Sequence, residues 1–346
     1  MDVIPSGARN LALALNLGHT RANQSEIPRS ARNDILNYAR RPLDRSGRAR
    51  FLAPLGMTSP GTLPRIWLRR AAALCIFKLR ATIVNNYKGL SLEGKHALVF
   101  GGTSGLGKSI VLGFAEAGAD VVAVSRRSEE VKKTAAEIRA LGRKTLEATA
   151  DVTSRSDVQR VVDAMVGELG RIDILVNSAG TTKRVPSLEM ADEDWDRILD
   201  TNLKGTWYAC QMAGRVMKEL GKGSIINISS LGGLVGNYEA TAYCASKGGV
   251  VMLTRCLAAE WARYNITVNA LAPGVFETPL NRHIVNEPGR KSSILTRTPM
   301  RRFGKLEEIQ GAAIFLASDS ASFVTGEILA VDGGFLAQGI GDKVVV

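Results

Sequence analysis

Histidine and cysteine are scarce in this chain. Its 346 residues include three histidines, His19, His96 and His283, and four cysteines, Cys75, Cys210, Cys244 and Cys256. No two cysteines form a CxxC pair, and none is followed by histidines at ligand spacing. This argues against a metal site and for a reducing, cytoplasmic setting. Long apolar runs are lacking as well. A membrane helix needs roughly 20 apolar residues, whereas the best candidate, Ala71 to Phe77, is bracketed by Arg69, Arg70 and Lys78. It is also too short for the usual signal-peptide core, so no membrane partner is expected.

A surplus of positive charge is absent from most of the chain. The net charge is +12. Residues 1–88 hold 15 Lys and Arg against 4 Asp and Glu, while the remainder holds 30 against 29. A nucleic-acid partner would have to bind the first 88 residues, and none is expected. That stretch is Arg-rich, carries Pro, Ser and Asn throughout, and shows no sustained apolar period. It reads as an irregular basic extension. A targeting leader, a disordered arm, and translation from a start codon placed too far upstream all fit it.

From about residue 89 the pattern changes. An apolar run at His96–Phe100 meets a glycine cluster, and apolar runs then alternate with helical spacing. Strands are expected at Asp120–Ser125, Thr145–Ala150, Ile172–Asn177, Ser224–Ser229, Thr267–Ala270 and near Ile328–Val331. A long helix is expected over about Asp192–Leu220 and another over Ala242–Tyr264. Continuous apolar strands alternating with helices predict a single α/β domain, 89–346: a Rossmann-type, doubly wound parallel sheet of about seven strands with helices on both faces.

The cluster Gly101-Gly102-Thr103-Ser104-Gly105-Leu106-Gly107 lies between the first strand and the first helix. Glycines permit a tight turn and close backbone approach, and the helix start offers N–H groups to a pyrophosphate. The second strand ends in Ser125-Arg126-Arg127, where an acidic residue would bond the ribose hydroxyl of NAD. A hydroxyl and two cations suit a 2′-phosphate, so NADP is the expected cofactor, with NAD possible. Asp151 and Val152 end the third strand, where adenine would lie. Asn177, Ser178, Ala179 and Gly180 end the fourth, leaving room for the nicotinamide ribose.

Tyr243 and Lys247 are four apart at a helix start, so they share a face. An ammonium nearby favours the phenolate and would lower the tyrosine pKa from its free value of about 10. Ser230, 13 residues before Tyr243, can hold a substrate oxygen, and Asn202 can anchor a water that links Lys247 to solvent. This set suits proton transfer to or from an alcohol. Cys244 has no histidine to activate it and reads as packing.

These motifs resemble the short-chain dehydrogenase/reductase family over about Leu90–Gly334. The resemblance rests on the glycine turn, on Asn177 to Gly180, on Asn202, Ser230, Tyr243 and Lys247, and on Pro273-Gly274 followed by Thr278. It implies a catalytic tetrad of Asn202, Ser230, Tyr243 and Lys247, cofactor contacts from Tyr243, Lys247, Pro273, Gly274, Phe276 and Thr278, and a homotetramer. Phe100 and Ser178 depart from the family pattern and put local packing in question. Within the family, Thr278 to Asn281, Arg297 to Lys305 and Phe315 to Asp319 resemble the gluconate 5-dehydrogenase group, which acts on sugar acids. The segment Gly274–Arg302 should cover the substrate, and its many Arg and Lys, with Lys183 and Arg184, suit a small anionic substrate. Ser230, Tyr243 and Arg184 are the expected substrate contacts. A reductase of acyl chains on carrier proteins and a non-catalytic nucleotide-binding regulator are the alternatives.

Overall fold

The computed structural model describes residues 88–339, with the side chain of Ile284 excepted; the expectations for residues 1–87 lie outside them. The described chain alternates strand and helix. In order, it runs β1 (His96–Phe100), α1 (Gly105–Glu116), β2 (Asp120–Val124), α2 (Ser128–Ala140), α3 (Arg155–Leu169) and β3 (Ile174–Asn177). Then come α4 (Asp192–Leu199), α5 (Gly205–Leu220), β4 (Gly223–Ile228), α6 (Thr241–Trp261) and β5 (Ile266–Pro273). Two short helices, α7 (Arg282–Val285) and α8 (Pro288–Arg297), precede α9 (Gln310–Ala317) and β6 (Ile328–Val331). The sheet order is β2-β1-β3-β4-β5-β6 and every pairing is parallel.

The continuous apolar strands arise because both sheet faces are covered. In β1, Ala97 and Val99 join a core with Ile110 and Phe114 of α1 and Leu316 of α9. Leu98 and Phe100 point the other way, into a core with Val162 of α3 and Ala213 of α5. Strand side chains alternate between faces, so neither face of β1 tolerates a polar residue. Each large side chain fully buried here stabilises the fold by roughly 1.5–3 kcal/mol. Phe100, one of the departures from the family pattern, is 1% exposed and packs in the second core.

Two expectations need correction. The sheet has six strands among the described residues rather than about seven, because Thr145–Ala150 forms no strand. It runs beside β2 with one bridge, Ser125 to Thr149, and bonds from Val121 N to Lys144 O and from Ala150 N to Ser125 O. Only Ala150 of that stretch is buried. Leu146 and Ala148 pack against the same core as Ala150, but these few backbone bonds to β2 are too sparse for a full ladder. The helix expected over 192–220 is interrupted by a π-helical turn, Asp200–Lys204, between α4 and α5. Such turns insert an extra residue into a helix and re-aim its side chains, and this one carries Asn202.

Candidate active site

The strand order reverses between β1 and β3, which opens a crevice at the carboxyl ends of the strands. A cleft of 630 Å³ lies there. Its floor is the glycine turn. Gly101 has φ +76° and Gly105 φ +52°, a region that favours glycine. A Cβ on Gly101 would come within 2.5 Å of Ala179 N, and one on Gly107 within 2.2 Å of Gly101 O. The backbone of three segments therefore closes in on itself, which brings the start of α1 to the cleft. Ser104, the N-cap of α1, makes no side-chain capping bond, so its hydroxyl leaves the first-turn N–H groups to another partner. Ser178, the second departure from the family pattern, donates its N–H to Phe100 O and sets its Oγ against Gly107.

Along one side lie Ser125, Arg126, Arg127, Asp151 and Val152, and all of them line the cleft. Arg126 is largely exposed, 3.7 Å from Asp151 Oδ2. Asp151 accepts bonds from the N–H and hydroxyl of Thr153. Across the cleft, Pro273, Gly274, Phe276 and Thr278 line the wall after β5. Thr278 Cγ2 would meet a Cβ on Gly105 at 3.3 Å, so the covering segment starts directly on the glycine turn. Asn281 Oδ1 accepts bonds from the N–H and hydroxyl of Thr278 and fixes that start.

Ser230 follows β4. Its Oγ accepts the N–H of Gly232 at 3.0 Å, and it lines the inner end of the cleft together with Tyr243. Lys247 is one turn further along α6. Its Nζ lies 5.9 Å from the centre of the Tyr243 ring and donates to Ile228 O at 2.7 Å. Burial pushes the lysine down to about 8. Burial also raises the Tyr243 pKa, and the neighbouring Ser230 hydroxyl opposes that rise. The expectation that Lys247 lowers the tyrosine pKa thus does not describe the free protein. Its ammonium is spent on a carbonyl, and Tyr243 is a phenol holding its proton.

Asn202 is buried and does not face the cleft as a lone water anchor. Its Oδ1 accepts the N–H of Thr181 at 2.8 Å, and its Nδ2 donates to Thr181 O and Ser246 Oγ. It therefore clamps the segment after β3 to α6, beside Tyr243 and Lys247. A Cβ on Gly180 would lie 3.4 Å from Asn202 Oδ1 and 3.7 Å from Lys247 Nζ, so the missing side chain keeps that junction open. Asn177 is a brace rather than a lining residue, since its Nδ2 donates to Asn227 Oδ1 and Cys210 Sγ. Burial drives the Cys210 thiol up to about 12.

Arg184 is not among the cleft-lining residues. It is ion-paired to Glu239 and Glu287. Several other cations of the covering segment and its neighbour are engaged too: Arg282 with Glu277, Arg302 with Glu308, Lys183 with Asp194, and Arg297 over the Phe335 ring. The expected cationic mouth is therefore a mosaic of pairs. Reasoning from the sequence missed Thr181, Arg197, Thr201 and Leu280, which line the cleft. Arg197 and Thr201 are four apart on the helix that leads into Asn202. That spacing was the available signal for both.

A glycine-floored cleft at a strand-order reversal, with a phenol, a hydroxyl and an ammonium at its inner end, defines a nicotinamide-dependent oxidoreductase. The residues present fit a nicotinamide dinucleotide: the glycines leave the backbone bare where a pyrophosphate would rest, and no side chain fills that space. The chain belongs to the short-chain dehydrogenase/reductase family, and a family model described as enoyl-(acyl carrier protein) reductase matches residues 101–336. A 3-oxoacyl-[acyl-carrier-protein] reductase of Thermotoga maritima is 41% identical over 71% of this chain and 100% of its own length. A 2-dehydro-3-deoxy-D-gluconate 5-dehydrogenase of Dickeya dadantii is 40% identical over 72% of this chain and 98% of its own. The crystal structure of a gluconate 5-dehydrogenase from Burkholderia cenocepacia, in complex with NADP and tartrate, is 39% identical, covers 73% of this chain and 99% of its own, and has a TM-score of 0.71. The chain is an oxidoreductase enzyme. Among the described residues, no helix is long and apolar enough to cross a membrane, and no group of three or more His, Cys, Asp or Glu is placed to hold a metal ion.

Proposed function

We propose that this enzyme moves a hydride between NADP(H) and a secondary carbon of a sugar acid, as in the gluconate 5-dehydrogenase group. The observation that carries the reading is that Ser230, Tyr243 and Lys247 line the inner end of the glycine-floored cleft together, with Lys247 one turn behind Tyr243. When bound, the nicotinamide supplies or accepts the hydride. Ser230 holds the substrate oxygen. The Tyr243 phenol gives that oxygen a proton during reduction and takes one during oxidation. Lys247 stabilises the phenolate, and Asn202 fixes α6 against the segment after β3, which sets the spacing. Gly101 to Gly107 and the start of α1 take the pyrophosphate, Asp151 and Val152 the adenine side, and Ala179 and Gly180 the nicotinamide ribose. Pro273, Gly274, Phe276 and Thr278 close over the nicotinamide.

Preference for NADP(H) is supported by Ser125, Arg126 and Arg127 and by the lack of an acidic residue at the end of β2. The sugar-acid class is supported by the named relatives and by Arg184 beside the covering segment, and Arg184 is the proposed contact for the substrate carboxylate. The enzyme is proposed to be cytoplasmic and homotetrameric, with the outer face of α6 in contact between subunits. Met252 on that helix is 55% exposed. Residues 1–88 are proposed to be dispensable for activity, since every site residue lies beyond them.

The second reading is reduction of a 3-oxoacyl group on a carrier protein, favoured by the Thermotoga relative. A non-catalytic regulator is disfavoured because Tyr243, Ser230 and Lys247 are assembled. Measured kcat/KM for gluconate, a neutral polyol and a β-keto thioester, each with NADP(H) and NAD(H), separates these. The expected order places gluconate with NADP+ first. Efficient turnover of the thioester with none of gluconate would replace the sugar-acid reading, and a clear NAD(H) preference would overturn the role of Arg126.

A further inference from the structure

Four charges meet on three segments that also carry the cleft-lining residues Thr181, Tyr243 and Asn281. Arg184 follows β3, Glu239 precedes α6, and Glu287 and Arg290 stand at the start of α8. Arg184 Nη1 donates to Glu287 Oε2 at 2.6 Å. Its Nε lies 2.8 Å from Glu239 Oε2, yet this buried N–H makes no hydrogen bond. Nε of Arg290 is likewise buried without a hydrogen-bond partner. Arg184 opposes the charge on Arg290, while Glu287 and Glu239 support it, so all four groups share one field. The Arg184 Nε–H thus faces a carboxylate without hydrogen-bond alignment, and the Arg290 Nε–H is enclosed without an acceptor. Buried donors are rarely left so.

The two carboxylates are not equivalent. Glu239 is held on a backbone with φ +58°, its carbonyl accepts the N–H of Val185, and its side chain is 21% exposed. Glu287 is 54% exposed and sits on the covering segment. Returning Glu287 to water thus costs far less than returning Glu239. The cluster is neutral as it stands, two cations against two anions. It stays neutral if a monoanionic ligand enters as Glu287 leaves.

We propose that Arg184 and Arg290 together form a carboxylate receptor, and that Glu287 is the built-in counter-ion an anionic substrate displaces. This rests on the sugar-acid reading for its physiological ligand, and it adds Arg290 and Glu287 as determinants of specificity. The planar guanidinium fork of Arg184 offers a bidentate face once Glu287 departs. The orphaned Nε of Arg290 supplies a donor from the covering segment, so capture of the carboxylate also draws that segment onto the substrate.

The test compares the full-length enzyme with Arg290→Met and Glu287→Gln. It reads kcat/KM for gluconate and for xylitol, and the inhibition constant of succinate as a non-reacting carboxylate. Arg290→Met should lower the gluconate-to-xylitol ratio by about 10-fold or more and weaken succinate similarly, the effect of losing one charge-assisted bond. Glu287→Gln should raise the ratio and tighten succinate. If both variants shift gluconate and xylitol alike and leave succinate unmoved, the four charges only order the covering segment and the receptor is refuted. If gluconate is not turned over but succinate responds as stated, the receptor stands and the sugar-acid reading alone falls.

Discussion

Lys247 carries the largest electrostatic cost at the site. Its ammonium is 5% exposed and finds one carbonyl oxygen, that of Ile228, in the free protein. Burial lowers its pKa from 10.5 to about 8. Between those values the unfolded chain holds a proton at this position that the folded chain has released, so stability rises with pH across the window. The stability gap between the native enzyme and Lys247→Met should therefore widen in favour of the native enzyme by roughly 2 kcal/mol from about pH 8 to pH 10. Urea unfolding at several pH values checks this, and a gap that stays flat would contradict the burial argument. Sequence reasoning reached Tyr243 and Lys247 because their relation is local, one helical turn. It did not reach the roles of Asn177 and Arg184. Asn177 is fixed by Asn227, 50 residues on, and Arg184 by Glu287, 103 residues on. Neither partner is implied by spacing, so the brace at Asn177 and the ion pairs of Arg184 were not legible.

At the scale of elements, the glycine turn shows what the first βα unit requires. Gly107 faces Gly101 O so closely that a Cβ would sit 2.2 Å away, with Gly101 C and Ser178 Oγ at 2.9 Å. No rotamer relieves a clash with backbone. Gly107→Ala should weaken cofactor binding by at least about 10-fold and destabilise the fold by roughly 1–3 kcal/mol through forced shifts in β1 and α1. Gly167 in α3 is the contrast, since a Cβ there meets nothing within 4 Å. Gly167→Ala should stabilise by roughly 0.5–1 kcal/mol by restricting the unfolded chain. Cofactor titration and thermal unfolding of both variants test the pair, and a Gly107→Ala enzyme that binds cofactor normally would refute the close-approach argument. Glycine placement after an apolar run made this unit legible in the sequence. The π turn at Asp200–Lys204 was not legible, because helical periodicity continues on both sides of it. The edge segment Thr145–Ala150 misled for the opposite reason. Its composition suits a strand and one face packs on the core, but its backbone bonds to β2 are too few to make a ladder.

At the scale of the molecule, six parallel strands bring residues from far apart in the chain to one rim. Gly101, Ser125, Gly180, Ser230 and Gly274 all lie just past strand ends. The sheet supplies the frame and these ends supply the chemistry. The covering segment between β5 and α9 adds the charges proposed to select a substrate. The central claim is that this rim carries out hydride transfer with Tyr243 as its proton carrier. Tyr243→Phe keeps the ring beside Lys247 and removes only the hydroxyl. The most direct test is the turnover of Tyr243→Phe on the best substrate, followed by nicotinamide absorbance, together with the dissociation constant of NADPH. Cofactor affinity should be unchanged while kcat falls by about 100- to 10,000-fold, the range expected on losing a positioned acid–base group. A variant that binds NADPH normally and turns over near the native rate would contradict the claim.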